Sequence, residues 1–145
     1  MHLLLISLLS FFLSPMGWGT DFQKASEQAQ KEHKLILLNF SGSDWCGPCI
    51  RLKKEIFETK EFETFADQCL VLVNADFPRL KKNQLMKEQT KLNETLADKY
   101  NAEGAFPLTL LLNSDCKVLK KWNGLPSGNA GDFTKDLARI FNANK

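Results

Sequence analysis

Three apolar runs set the frame of this chain: residues 35–40, 69–75 and 108–112. Their length suits strands, and the scarcity of polar alternation within them marks strands covered on both faces by helices. Around them, apolar residues recur at helical spacing. Thr20-Asp21-Phe22-Gln23 matches a capping box led by Thr20, and Phe22, Ala25 and Ala29 then predict a first helix ending near Glu32. A second helix starts at Cys46 and carries Leu52, Ile56 and Phe57 inward. A third, over residues 61–67, is anchored by Phe62 and Phe65. Leu85, Leu92, Leu96 and Tyr100 mark one face of a helix or helix pair across residues 80–100. Gly104-Ala105-Phe106-Pro107 breaks that pattern, Asn113-Ser114-Asp115-Cys116 is a turn, and residues 118–122 close a hairpin on 108–112. Phe133, Leu137, Ile140 and Phe141 define a last amphipathic helix. This order predicts an α/β domain, a central mixed β-sheet sandwiched by helices.

Residues 1–19 differ in character. Residues 3–13 are dominated by Leu, Ile and Phe, Ser14-Pro15 ends the stretch, and Gly17 and Gly19 are small enough for cleavage. The pattern predicts a signal peptide over 1–19, cut after Gly17 or Gly19, with an uncleaved anchor as the alternative because no Lys or Arg precedes the stretch, and a domain over 20–145 that is exported, periplasmic or secreted. A spanning helix needs about twenty apolar residues, so no stable membrane insertion is expected after signal removal. The mature chain is long enough to bury a core without disulfide staples, so the 4 cysteines do not read as a framework. A net charge of +2 without a basic, aromatic-interleaved stretch excludes nucleic acid as an expected partner.

The chemistry concentrates in Trp45-Cys46-Gly47-Pro48-Cys49, where the first apolar run gives way to a helix. Cys46 falls at the helix N-terminus, where unpaired N–H groups and the helix dipole favour a thiolate. Cys49, one turn further and facing inward, is placed to attack a mixed disulfide on Cys46. A zinc site needs further ligands at ordered spacing, and Cys69, Cys116 and His33 supply none; haem attachment needs His where Ile50 stands. Neither a metal nor any other cofactor is expected.

With the dithiol between strand and helix, Asn74-Ala75-Asp76 closing a second strand, and Phe106-Pro107 opening a hairpin, the chain resembles the thioredoxin family over about residues 20 to 145. The lead-in Ser41-Gly42-Ser43-Asp44-Trp45 is most similar to exported thioredoxin-like proteins. The resemblance implies a cis Pro107 lying against the dithiol, with the adjoining backbone pairing with substrate as an extra strand. It assigns Trp45, Gly47, Pro48, Phe106 and Pro107 to the active-site loop and substrate surface. It also implies protein disulfides as substrates and an unidentified redox partner that recharges the dithiol. Gly47-Pro48 resembles the reducing members, so reduction is the expected direction; an oxidase, an isomerase or a non-redox binding module are the alternatives. Several positions depart from the family: Asn39 stands for the buried aspartate beneath the second cysteine, Leu72 for its companion lysine, Lys54 for a kinking proline, and the segment 78–95 is long.

Cys69 is expected to open the second strand as a core residue, and Cys116 to occupy the hairpin turn, with a Cys69 to Cys116 disulfide conceivable only if the strands approach. His33 reads as a helix-end cap. Asn93-Glu94-Thr95 matches a glycosylation sequon within a helical pattern.

Overall fold

The computed structural model describes residues 17–145, so the apolar stretch of the expected signal peptide lies outside the described residues. In chain order the elements are β1 (Trp18–Gly19), α1 (Phe22–Glu32), β2 (Leu35–Ser41), α2 (Gly47–Leu52) continued by a π-helical turn (Lys53–Phe57), α3 (Lys60–Cys69), β3 (Leu70–Asp76), a 3-10 turn (Lys81–Asn83), α4 (Lys87–Tyr100), β4 (Leu108–Leu112), β5 (Val118–Asn123) and α5 (Ala130–Ala143). The strands form one mixed sheet in the order β1-β3-β2-β4-β5, with β1 and β2 parallel to β3 and β4 antiparallel to β2 and β5. The predicted architecture is the observed one, with β1 added at one edge.

All of β2 is buried, and its residues divide between two cores. Leu35 and Leu37 join Leu52, Ile56, Phe57, Phe62, Leu111, Phe133 and Leu137 on the face covered by α2, α3 and α5. Ile36, Leu38 and Phe40 join Ala25, Ala29, Val73 and Leu110 on the face covered by α1 and α4. Burying each of these large side chains contributes about 2 kcal/mol, so a one-residue slip of β2 would exchange two complete sets of contacts.

Several boundaries move for physical reasons. Asp21, not Thr20, caps α1, because its carboxylate reaches Lys24 N at 3.1 Å. His33 ends that helix in the left-handed region (φ 55°), as a cap should. Cys69 is the last residue of α3 rather than the first of β3. In α4 Leu96 and Tyr100 pack against the core as predicted, but Leu92 is exposed, and the neighbouring Asn93 is 3% exposed in its place. A buried amide is tolerated there because Asn93 Nδ2 donates to Asp76 O at 2.9 Å and its Oδ1 accepts from Gln89. That burial also removes Asn93 as a glycan acceptor in the folded protein. Cys69 packs against the α3/α5 core and Cys116 against the α1/α4 core, on opposite faces of the sheet. Both are free, and no disulfide joins them.

Candidate active site

The loop that bears Cys46 and Cys49 leaves the end of β2, and two carboxylates shape it. Asp76, at the end of β3, accepts from Ser41 Oγ, Ser43 N and Ser43 Oγ, pinning the chain as it emerges from the sheet. Asp44 accepts from Arg79 N and Leu80 N, both at 2.9 Å, and from Asn83 Nδ2 at 3.0 Å. These donors, Arg79 N foremost, hold the Asp44 carboxyl below the ordinary aspartate range. Two loops distant in sequence are thereby tied together.

Trp45 lies flat over Gly42. A Cβ at position 42 would come within 2.2 Å of the indole, so only glycine permits this approach. The indole Nε1 donates to Phe77 O at 2.7 Å. Phe106 meets the indole edge-on at 5.4 Å between centroids and meets Phe77 at the same separation. The Phe106-Pro107 peptide is cis, as the resemblance implied. Trp45, Phe106 and Phe77 therefore form one aromatic floor that joins the dithiol loop to the cis-proline loop.

Cys46 and Cys49 form a disulfide, with Cα atoms 5.2 Å apart. Cys46 is the N-cap of α2, in extended conformation, and its Sγ accepts from Cys49 N at 3.2 Å. Pro48 occupies the first turn, where a missing N–H costs no helical bond. Both cysteines are 5% exposed, while Gly47 and Pro48 stand outside them. Hollows of about 540 Å³ beside β1 and about 200 Å³ behind Phe77 are lined by neither cysteine. Among the described residues no three or more His, Cys, Asp or Glu side chains cluster so as to hold a metal ion.

A family model described as thioredoxin-like matches residues 17–114. The chain belongs to the thioredoxin-like family. The disulfide bond reductase DsbH of Chlamydia pneumoniae is 35% identical over 115 residues, which are 79% of this chain and 68% of that protein. The thioredoxin-related protein DsbJ of the same organism is 32% identical over 85 residues, 53% of this chain but 24% of its own length. A solved structure of DsbH oxidoreductase superposes with a TM-score of 0.77 at 27% identity, covering 98% of this chain and 95% of that one. By class, this thioredoxin-like protein is a thiol-disulfide oxidoreductase.

Beneath the loop, this thioredoxin-like chain carries a ladder of neutral polar groups. Asn39, Asn74 and Thr109 sit side by side on β2, β3 and β4, in register with one another and on the sheet face that α2 covers. Thr109 Oγ1 donates to Asn39 Oδ1 at 3.1 Å, Asn39 Nδ2 donates to Asn74 Oδ1 at 3.0 Å, and Ser41 Oγ donates to Asn74 Oδ1 and Asp76 Oδ1, each at 3.2 Å. Among the described residues no buried side-chain nitrogen or oxygen lacks a partner. Leu72 pairs with Leu37 and packs into the apolar core, so no cation accompanies Asn39 on β3. Lys54, where a kinking proline was the expected family residue, lies in the π-helical turn at Lys53–Phe57, which carries Ile56 and Phe57 into the core.

Sequence reasoning singled out Trp45, Cys46, Gly47, Pro48, Cys49, Phe106 and Pro107 as candidates, and the fold brings the two loops that bear them together. It missed Asp44, Arg79, Asn74 and Thr109 as parts of the assembly. The only trace of the ladder in the sequence is that each of the three apolar runs is interrupted close to one of its ends by a polar residue: Asn39 and Asn74 near the C-terminal end, Thr109 near the N-terminal end.

Proposed function

We propose that the protein is exported and reduces disulfides in protein substrates through Cys46 and Cys49. The observation that carries this reading is the Cys49 N–H aimed at Cys46 Sγ at the head of α2. In the reduced protein that N–H and the helix terminus stabilise a Cys46 thiolate. The thiolate attacks one substrate sulfur, forming a Cys46 mixed disulfide and releasing the other sulfur as a thiol once it takes up a proton. Cys49 then attacks Cys46 Sγ, the mixed disulfide breaks, and the second substrate sulfur leaves. The substrate gains two electrons and two protons, and the protein is left in the oxidised state described here. A redox partner restores the dithiol.

Reduction as the direction is supported by the Gly47-Pro48 dipeptide and by likeness to a protein named as a disulfide bond reductase. Trp45, Phe106 and the backbone at Pro107 form the surface on which an extended substrate segment lies. Export is supported by the apolar stretch at residues 3–13. Cleavage after Gly17 leaves β1 whole, with the Trp18 ring tilted against Phe57 at 4.8 Å between centroids; cleavage after Gly19 would remove it. N-terminal sequencing of protein from the native host is therefore expected to begin at Trp18.

The roles of the two cysteines are tested by trapping. Cys49→Ser accumulates mixed disulfides with substrate proteins, because attack by Cys46 proceeds and resolution does not, whereas Cys46→Ser traps none. Equal trapping by both variants rejects the assignment, and an equilibrium with glutathione that leaves the wild-type dithiol almost fully reduced rejects the direction.

A further inference from the structure

We propose that Arg79 forms a subsite that selects substrate segments carrying a carboxylate within a few residues of the disulfide. The inference rests on the reading above that the dithiol reduces polypeptide disulfides. The Arg79 guanidinium lies 3.6 Å over the centre of the Trp45 ring, on the residue that immediately precedes Cys46. Stacking uses the flat face of the guanidinium and leaves its in-plane N–H donors for a planar, bidentate acceptor such as a carboxylate.

Nothing in the described part of the chain claims that charge. None of the ion pairs among the described residues includes Arg79, and the residue is exposed. The two carboxylates on the neighbouring loops are committed elsewhere: Asp44 to Arg79 N, Leu80 N and Asn83, and Asp76 to Ser41, Ser43 and Phe77 N. Asp44 grips the backbone at Arg79 rather than its side chain. It thus holds the arginine in place over Trp45 without neutralising it. Lys81 and Lys82 follow in the 3-10 turn and add positive potential on the same loop. The aromatic floor continues from Trp45 to Phe106, the residue before Pro107. A segment laid along that floor therefore passes from the cis-proline backbone toward the guanidinium.

The test uses three synthetic peptides, each closed by one disulfide and differing only in a Glu, Gln or Lys beside the first cysteine. For wild-type protein the Glu peptide is expected to be reduced about fivefold faster than the Lys peptide in kcat/KM at low salt, and the ratio is expected to fall toward one as salt rises. In Arg79→Gln the low-salt ratio should fall most of the way toward one, with only the weak, salt-screened preference of Lys81 and Lys82 left, and in Arg79→Glu it should invert. Because each ratio is taken within one variant, a general loss of activity does not mimic the result. Equal rates for the three peptides with the wild type, or a ratio unchanged in Arg79→Gln, overturn the subsite while leaving the reductase reading intact. Failure of the wild type to reduce any of the peptides, or insulin, overturns the reductase reading and the subsite with it.

Discussion

Replacing Asn39 by Asp exchanges one amide nitrogen for an oxygen at a site that is 5% exposed. In the native ladder Asn39 Nδ2 donates to Asn74 Oδ1 at 3.0 Å while its Oδ1 accepts from Thr109. A protonated aspartic acid reproduces both bonds, since its O–H donates where the amide did. An ionised aspartate cannot. It turns a lone pair toward Asn74 Oδ1 and buries a charge with no cation on β3 to meet it, because Leu72 lies in the core. Burial therefore raises the folded-state pKa of the new carboxyl above its unfolded value of about 3.9. Below that unfolded value both states are protonated and the variant is close to wild type in stability. Above it the unfolded chain releases its proton while the folded one keeps it. The stability deficit then grows by about 1.4 kcal/mol for each pH unit until the folded pKa is reached, and is constant beyond it. An uncompensated buried carboxylate costs about 3 kcal/mol, which places the melting temperature about 10 °C below wild type at neutral pH. Urea midpoints for both oxidised proteins, taken at intervals from about pH 4 to pH 8, measure this directly. A deficit that does not change with pH, or no deficit at all, would refute both the hydrogen-bond assignment and the burial of the ladder.

Thr109→Val keeps the shape of a side chain that is 0% exposed but leaves Asn39 Oδ1 without its donor; a loss of about 1–2 kcal/mol in denaturant stability is expected, and an unchanged midpoint would contradict the bond. Gly42→Ala drives a Cβ into the Trp45 ring, so the indole leaves Phe77 O and Trp45 emission shifts to the red. With Trp18 and Trp122 replaced by Phe, an unshifted spectrum would rule this packing out. Burial pushes the Cys69 thiol up, with Lys145 and Lys34 only partly offsetting it, which lowers its thiolate fraction at about pH 8. In reduced protein, mass spectrometry should find Cys46 alkylated well before Cys69, and Cys69 labelling should still be rising with pH when that of Cys46 has levelled off. Equal labelling rates would show that Cys69 is not held in apolar surroundings.

The amino-acid sequence alone determined the strands at β2, β3 and β4, the helices that carry Leu52, Phe62 and Phe133 inward, and the dithiol at the head of α2. Continuous apolar runs, 3.6-residue spacing and a Cys-Gly-Pro-Cys at a strand-helix junction are local signals, readable within a few turns of chain. Where a local rule left a choice between neighbours, the fold made it. Asp21 rather than Thr20 caps α1 because its carboxylate is the group that reaches Lys24 N, and Asn93 rather than Leu92 turns inward because Asp76 O offers its amide a partner. Only the tertiary structure decided that Asn39, Asn74 and Thr109 share one hydrogen-bonded row, that Cys69 and Cys116 lie on opposite faces of the sheet, and that Asp44 holds Arg79 against Trp45. These pairs are separated by tens of residues. A polar side chain in an apolar run carries no mark of which distant strand or loop will satisfy it until the sheet order and register bring the two together.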